Sequence, residues 1–138
     1  MIGHTMIKGL DHVAIVVSDM DRSIRFYSEV LGLKVHRDGR KEGGNKKSFL
    51  GTKSETLVAL TEDENRGRGR AGFAEGVAHI AFRVDDVERV SKILRERGIE
   101  FIEEKLDKDG KKKAYHFLDP DGLELEIYGR TREIIPAY

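Results

Sequence analysis

The sequence predicts an α+β fold built from two βαβββ modules. Three observations predict it. The chain repeats itself: Leu10-Asp11-His12-Val13-Ala14-Ile15-Val16-Val17 is matched by Val77-Ala78-His79-Ile80-Ala81-Phe82-Arg83-Val84, with the two histidines 67 residues apart. Each run is short, apolar and rich in β-branched residues, the pattern of a buried strand. Each is followed by helix-spaced apolar residues, Ile24, Tyr27 and Leu31 after the first and Val87, Val90 and Leu94 after the second.

The elements follow in order. Residues 10–17 read as the first strand. Ser18-Asp19-Met20-Asp21 then opens a helix with side chains able to cap its free N–H groups, and Gly32 closes it. Residues 33–38 form a second strand, and 46–50 with 57–61 flank a turn over 51–56. Residues 62–75 are rich in glycine and arginine and without periodicity, and read as an exposed linker. The second module repeats the plan: strand 77–84, a helix opened by Asp85-Asp86 and closed by Gly98, strand 101–105, and a hairpin of 114–118 and 123–128 around Asp119-Pro120-Asp121-Gly122. Residues 1–138 thus read as one domain, with module 1 at about 7–61, the linker at 62–75 and module 2 at about 76–130.

Composition narrows the function. Twenty-five Lys and Arg balance 25 Asp and Glu, which argues against a dedicated nucleic-acid binder. No apolar run approaches the roughly 20 residues of a membrane span, and no N-terminal stretch reads as a signal peptide. Cysteine is absent, which excludes disulfides, cysteine-based zinc sites and thiol nucleophiles. The expectation is a cytoplasmic protein with a small-molecule partner and no membrane or nucleic-acid role.

Side chains alternate faces along a strand. In the last strand Leu123, Leu125 and Ile127 share one face, and Glu124, Glu126 and Tyr128 the other. In the fifth strand His79, Ala81 and Arg83 oppose Ala78, Ile80, Phe82 and Val84. Each repeat therefore projects a histidine away from its helix, and the second adds Glu126 to the same face. Two modules related by approximate two-fold symmetry would bring His12, His79 and Glu126 together. Two imidazoles and a carboxylate leave coordination positions open, as a catalytic metal requires. The competing reading is a pair of hydrogen-bonded core histidines.

The pattern resembles the vicinal oxygen chelate superfamily of glyoxalases, bleomycin-resistance proteins and extradiol dioxygenases. The residues that carry it are Asp11-His12-Val13-Ala14-Ile15, the run from Asp21 through Phe26-Tyr27 to Leu31-Gly32-Leu33, Val77-Ala78-His79-Ile80-Ala81-Phe82, and Phe117-Leu118-Asp119-Pro120-Asp121-Gly122-Leu123-Glu124-Leu125-Glu126. The resemblance implies two βαβββ modules forming a cup-shaped mixed sheet with helices outside. It implies one divalent ion (iron, manganese, zinc or nickel) on His12, His79 and Glu126. The corresponding place in module 1 aligns with Ala59, which cannot bind metal and departs from ordinary glyoxalase I and from the epimerases. The Trp-containing stretch usual in fosfomycin-resistance proteins is also missing.

His116, ten residues before Glu126, faces the cup by parity, where several family members carry tyrosine. A histidine there is a candidate general acid or base. Arg83 is expected at the rim, His36 toward the cup without a supporting motif, and Glu124 at the surface or edge. The leading expectation is a metal-dependent enzyme with ring-cleaving dioxygenase-like or glyoxalase-like lyase or isomerase chemistry. The alternative is a non-catalytic, ligand-sequestering protein of the bleomycin-resistance type, which needs no Glu126. A homodimer is expected, with modules paired within a chain or exchanged between chains.

Overall fold

The structure is a computed structural model and describes residues 6, 8–44, 46–63, 77–107 and 109–129. The chain forms two compact units, Met1–Arg66 and Gly67–Tyr138. The first contains β1 (Val13–Val17), α1 (Met20–Arg25), β2 (Lys34–Arg37), β3 (Lys47–Gly51) and β4 (Thr56–Glu62). Its sheet has the order β1-β4-β3-β2, with β1 parallel to β4 and the other pairs antiparallel. The second contains β5 (Ile80–Val84), α2 (Val87–Glu96), β6 (Glu103–Leu106), β7 (Lys112–Leu118) and β8 (Glu124–Gly129), in the order β5-β8-β7-β6 with the same directions. Each unit is a βαβββ module.

Both helices start as their sequences predict. Asp19 Oδ1 accepts from Arg22 N at 3.1 Å, and Asp86 Oδ1 from Arg89 N at 3.0 Å. Glu62 adds a second cap on α1, accepting from Met20 N at 2.8 Å through Oε2. Glu62 therefore belongs to β4 and the first module rather than to the linker, whose residues 64–75 lie outside the described residues. Gly32 and Gly98 end the helical stretches with φ of +79° and +91°, values that side chains with a Cβ rarely adopt.

The first helix departs from expectation after Arg25. Instead of continuing as α-helix to Leu31 it widens into one π turn over Phe26–Val30, with Leu31 N donating to Phe26 O at 3.0 Å. Tyr27 within that turn is fully buried, and Ser28 Oγ donates to Ile24 O at 2.6 Å.

The alternation read from the sequence sets the layers. In the second module Leu125 and Ile127 of β8 and Tyr115 and Phe117 of β7 are buried, as are Val87 and Leu94 of α2. Tyr115 Oη donates to Glu88 Oε1 on α2 at 2.9 Å, which ties the helix to that face. Burying a side chain of this size contributes about 1.5–3 kcal/mol. The opposite face carries Glu124, Glu126 and His116.

The β7–β8 turn is locked by one carboxylate. Asp119 Oδ1 accepts from Asp121 N and Leu123 N, both at 2.9 Å, while Asp119 N donates to Leu123 O at 2.9 Å and Gly122 takes φ +86°. This turn fixes where β8 begins and hence which residues of β7 and β8 face one another.

The two modules share their register as well as their topology. Ala14 pairs with Ala59 and Phe49 with Ala59 in the first; Ala81 pairs with Glu126 and His116 with Glu126 in the second. Each of these positions is displaced by the 67 residues that separate His12 from His79. The pairing places Ala59 where the second module has Glu126, as the hairpin alignment predicts.

Candidate metal centre

The register of the second sheet builds the site. Glu126 on β8 lies between Ala81 on β5 and His116 on β7, and His116 lies beside Glu103 on β6. Continuing the β5–β8 register back by one residue sets His79 level with Glu124. The pairing with β8 begins at Ile80, so His79 sits at the mouth of β5 rather than inside it. His12 is likewise one residue ahead of β1.

Four ligand-type side chains converge on this face. His116 is 2% exposed and Glu126 is 3% exposed. His116 Nε2 meets Glu126 Oε2. The same oxygen lies 4.0 Å from His79 Nε2. On the other side, Glu124 Oε2 is 3.3 Å from His116 Nδ1 and 3.6 Å from His79 Nδ1. The imidazole centroids are 5.3 Å apart, with planes inclined by 68°. Each ring thus shows one nitrogen to Glu126 and the other to Glu124. One ligand atom each from His79, His116 and Glu124 lie within 4.8 Å of one another.

The donor set fits a divalent cation. Imidazole nitrogen and carboxylate oxygen suit zinc, iron, manganese and nickel. His116 Nε2 is buried and, despite touching Glu126, makes no aligned hydrogen bond. A buried polar atom in that state costs about 1–3 kcal/mol unless something satisfies it. A cation held by Glu126 would offset its carboxylate charge and leave the His116 nitrogen free for a proton or a substrate atom.

Sequence reasoning located His79, His116 and Glu126 on one face and missed Glu124. Expected at the surface, Glu124 is half-buried against both histidines. Its parity with Glu126 was visible; its level with His79 depended on a strand register that the sequence does not state. His36 is committed elsewhere, with Nδ1 2.9 Å from Thr56 Oγ1 and Nε2 2.6 Å from Thr52 O. His12 is exposed in the first module, with Nδ1 2.7 Å from Asp11 Oδ1. Arg83 lies on the face of Ala81 and is exposed.

Comparison with known proteins gives this geometry a family. The family model described as Glyoxalase/Bleomycin resistance protein/Dioxygenase superfamily matches residues 9–127. The chain belongs to that superfamily. It is 32% identical over 125 residues to the uncharacterized protein YwkD of Bacillus subtilis, covering 89% of this chain and 98% of YwkD. It is 31% identical over 131 residues to the metallothiol transferase FosB of Staphylococcus epidermidis, covering 93% and 88%. The crystal structure of a glyoxalase family protein from Enterococcus faecalis superposes with a TM-score of 0.73 at 35% identity, covering 90% of this chain and 99% of that one. Other members similar to the chain are named as probable lactoylglutathione lyases, from Arabidopsis thaliana and Synechocystis. The family thus contains metal-dependent transferases and lyases, and its fold is the pair of βαβββ modules described above. Among the described residues, no helix is long and apolar enough to cross a membrane.

Proposed function

We propose that the chain is a single-domain, divalent-metal-dependent enzyme of the cytoplasm that acts on a small molecule carrying two adjacent oxygens. His79 and Glu126, joined by His12 of the first module, would hold the ion. The observation that carries this reading is the convergence of His79, His116, Glu124 and Glu126 on one sheet face, around a buried His116 Nε2 with no aligned partner. The ion would supply Lewis-acid polarisation of the paired oxygens.

The chain's own residues supply the rest. Glu126 brings the negative charge that keeps a cation in a buried place. His116 presents Nε2 on the same face and gives or takes a proton at that atom. Leu118, on the same β7 face, offers apolar contact to a substrate. A proton-moving histidine favours redox-neutral lyase, isomerase or thiol-addition chemistry, and the similarity to probable lyases and a metallothiol transferase supports this. Ring cleavage of a catechol-like diol with O₂ is the form the reaction takes if the resident ion is iron(II). The chain is expected to work as a homodimer, its modules paired within a subunit or exchanged between subunits.

The test is metal content by elemental mass spectrometry on anaerobically purified wild type and Glu126→Ala. Near one divalent ion per chain in wild type, lost in the variant, supports the reading. A wild type that stays empty after reconstitution with iron, manganese, zinc and nickel overturns it. A ligand-sequestering role would then stand in its place.

A further inference from the structure

We infer that Glu124 is a positioning residue for the two histidines of the site, accepting a hydrogen bond from His116 Nδ1 and drawing His79 Nδ1 toward it by charge across 3.6 Å. The inference rests on the metal reading for its consequence and on the sheet geometry for its substance.

A carboxylate only accepts hydrogen bonds. The 3.3 Å bond between Glu124 Oε2 and His116 Nδ1 therefore requires the proton on Nδ1. The same oxygen lies 3.6 Å from His79 Nδ1, which favours the same arrangement on the second ring. With both Nδ1 atoms directed at Glu124, both Nε2 atoms are left toward Glu126, at 4.0 Å for His79 and in contact for His116. An imidazole can otherwise rotate about its Cβ–Cγ bond and exchange Nδ1 for a carbon. Glu124 opposes that rotation.

The position follows from the strand. In Glu124-Leu125-Glu126 the two carboxylates share a face and the leucine between them is buried on the other. Glu124 is level with His79 across β5–β8 and opposite Leu118 on β7, so it reaches His116 only along the diagonal. Glu126 is level with His116 and reaches His79 along the opposite diagonal. The two carboxylates therefore bracket the two rings, one behind the nitrogens and one in front. Outer carboxylates on ligating histidines fix the tautomer and raise ligand basicity, and their loss typically weakens metal binding about 10–100-fold.

The test uses nitrogen-15 NMR of the histidine rings in metal-free protein, then zinc titration, for wild type, Glu124→Ala and Glu124→Gln. A solvent-protected Nδ1–H signal on His116 is expected in wild type. It is expected to disappear in Glu124→Ala and to persist in Glu124→Gln, whose amide oxygen still accepts. Zinc should bind Glu124→Ala about 10–100-fold more weakly than wild type, with Glu124→Gln between them. An unchanged Nδ1–H signal in Glu124→Ala overturns the inference, as does unchanged zinc affinity in a wild type that binds zinc. If zinc binds none of the three proteins but the signal still moves, the positioning role stands and the metal reading falls.

Discussion

His116 and Glu126 lie directly opposite one another on β7 and β8, in contact, and both are almost completely withdrawn from solvent. A buried pair of this kind punishes the loss of either partner. His116→Ala is expected to destabilise the metal-free protein by about 1–3 kcal/mol, because it removes the Nδ1–H that Glu124 accepts and leaves the buried Glu126 carboxylate without its facing imidazole. Adding Glu126→Gln should recover a substantial part of that loss. Urea unfolding of the two single variants and the double variant reads the coupling. Strictly additive losses would mean that the pair does not interact.

Ala59 occupies the first-module place that Glu126 holds in the second, and it is 3% exposed. Ala59→Glu puts an uncompensated carboxylate into a buried position and is expected to lower stability by a few kcal/mol. If Ala59 lies within reach of the ion of the proposed function, zinc should raise the melting temperature of Ala59→Glu more than that of wild type. Equal shifts would place Ala59 away from the ion.

Asp119 closes two backbone hydrogen bonds in the turn before β8. Asp119→Ala is expected to cost about 1–3 kcal/mol, since the freed N–H groups are partly buried. The more telling effect is on zinc affinity: a loosened turn lets β8 shift against β7 and separates Glu124 and Glu126 from the histidines. A variant that melts earlier yet binds zinc as tightly as wild type would show that the register is held elsewhere.

In the first module, Arg40 joins Asp21 and Asp38 through bonds of 2.7 and 2.6 Å. The hydrogen bond from Arg40 holds the Asp38 carboxyl below the usual carboxylate range, overcoming a smaller opposing effect of burial. A lowered folded-state value means stability that is present above the unfolded value of about pH 4 and is lost as pH falls through the folded one. Wild type should therefore exceed Asp38→Asn in stability near neutrality, and the gap should close as the pH is taken below about 4. Thermal melts of both proteins across that range check the sign. A gap that persists at low pH would assign the effect to packing.

The fold was legible because its signals are periodic. Alternation in Leu123 through Tyr128 and the repeated histidine runs need no tertiary information, and both appear in the sheets, with His12, His79 and Leu123 each one residue ahead of its strand. Asp19, Asp86, Gly32, Gly98 and the Asp119 turn were legible for a related reason: each acts on backbone within a few residues of itself. What stayed hidden depends on register. Glu124 looked like a surface residue because nothing local says that it stands beside His79. Glu62 looked like linker because its partner, Met20 N, is 42 residues away. The π turn after Arg25 has no counterpart in the second module and no sequence pattern that distinguishes it.

The matched registers bear on how such a protein changes over time. The first-module counterparts of Glu124, Glu126 and His116 are Leu57, Ala59 and Phe49, so of the four side chains gathered in the second copy only His79 has a like counterpart, His12. The second copy thus carries two carboxylates and an imidazole where the first carries apolar side chains, and both keep the leading histidine. Apolar exchanges at Leu57, Ala59 and Phe49 leave the carboxylates and His116 of the second copy untouched. Under the proposed function, the first copy is the half in which a new substrate would be accommodated while Glu124, Glu126 and His116 stay in place.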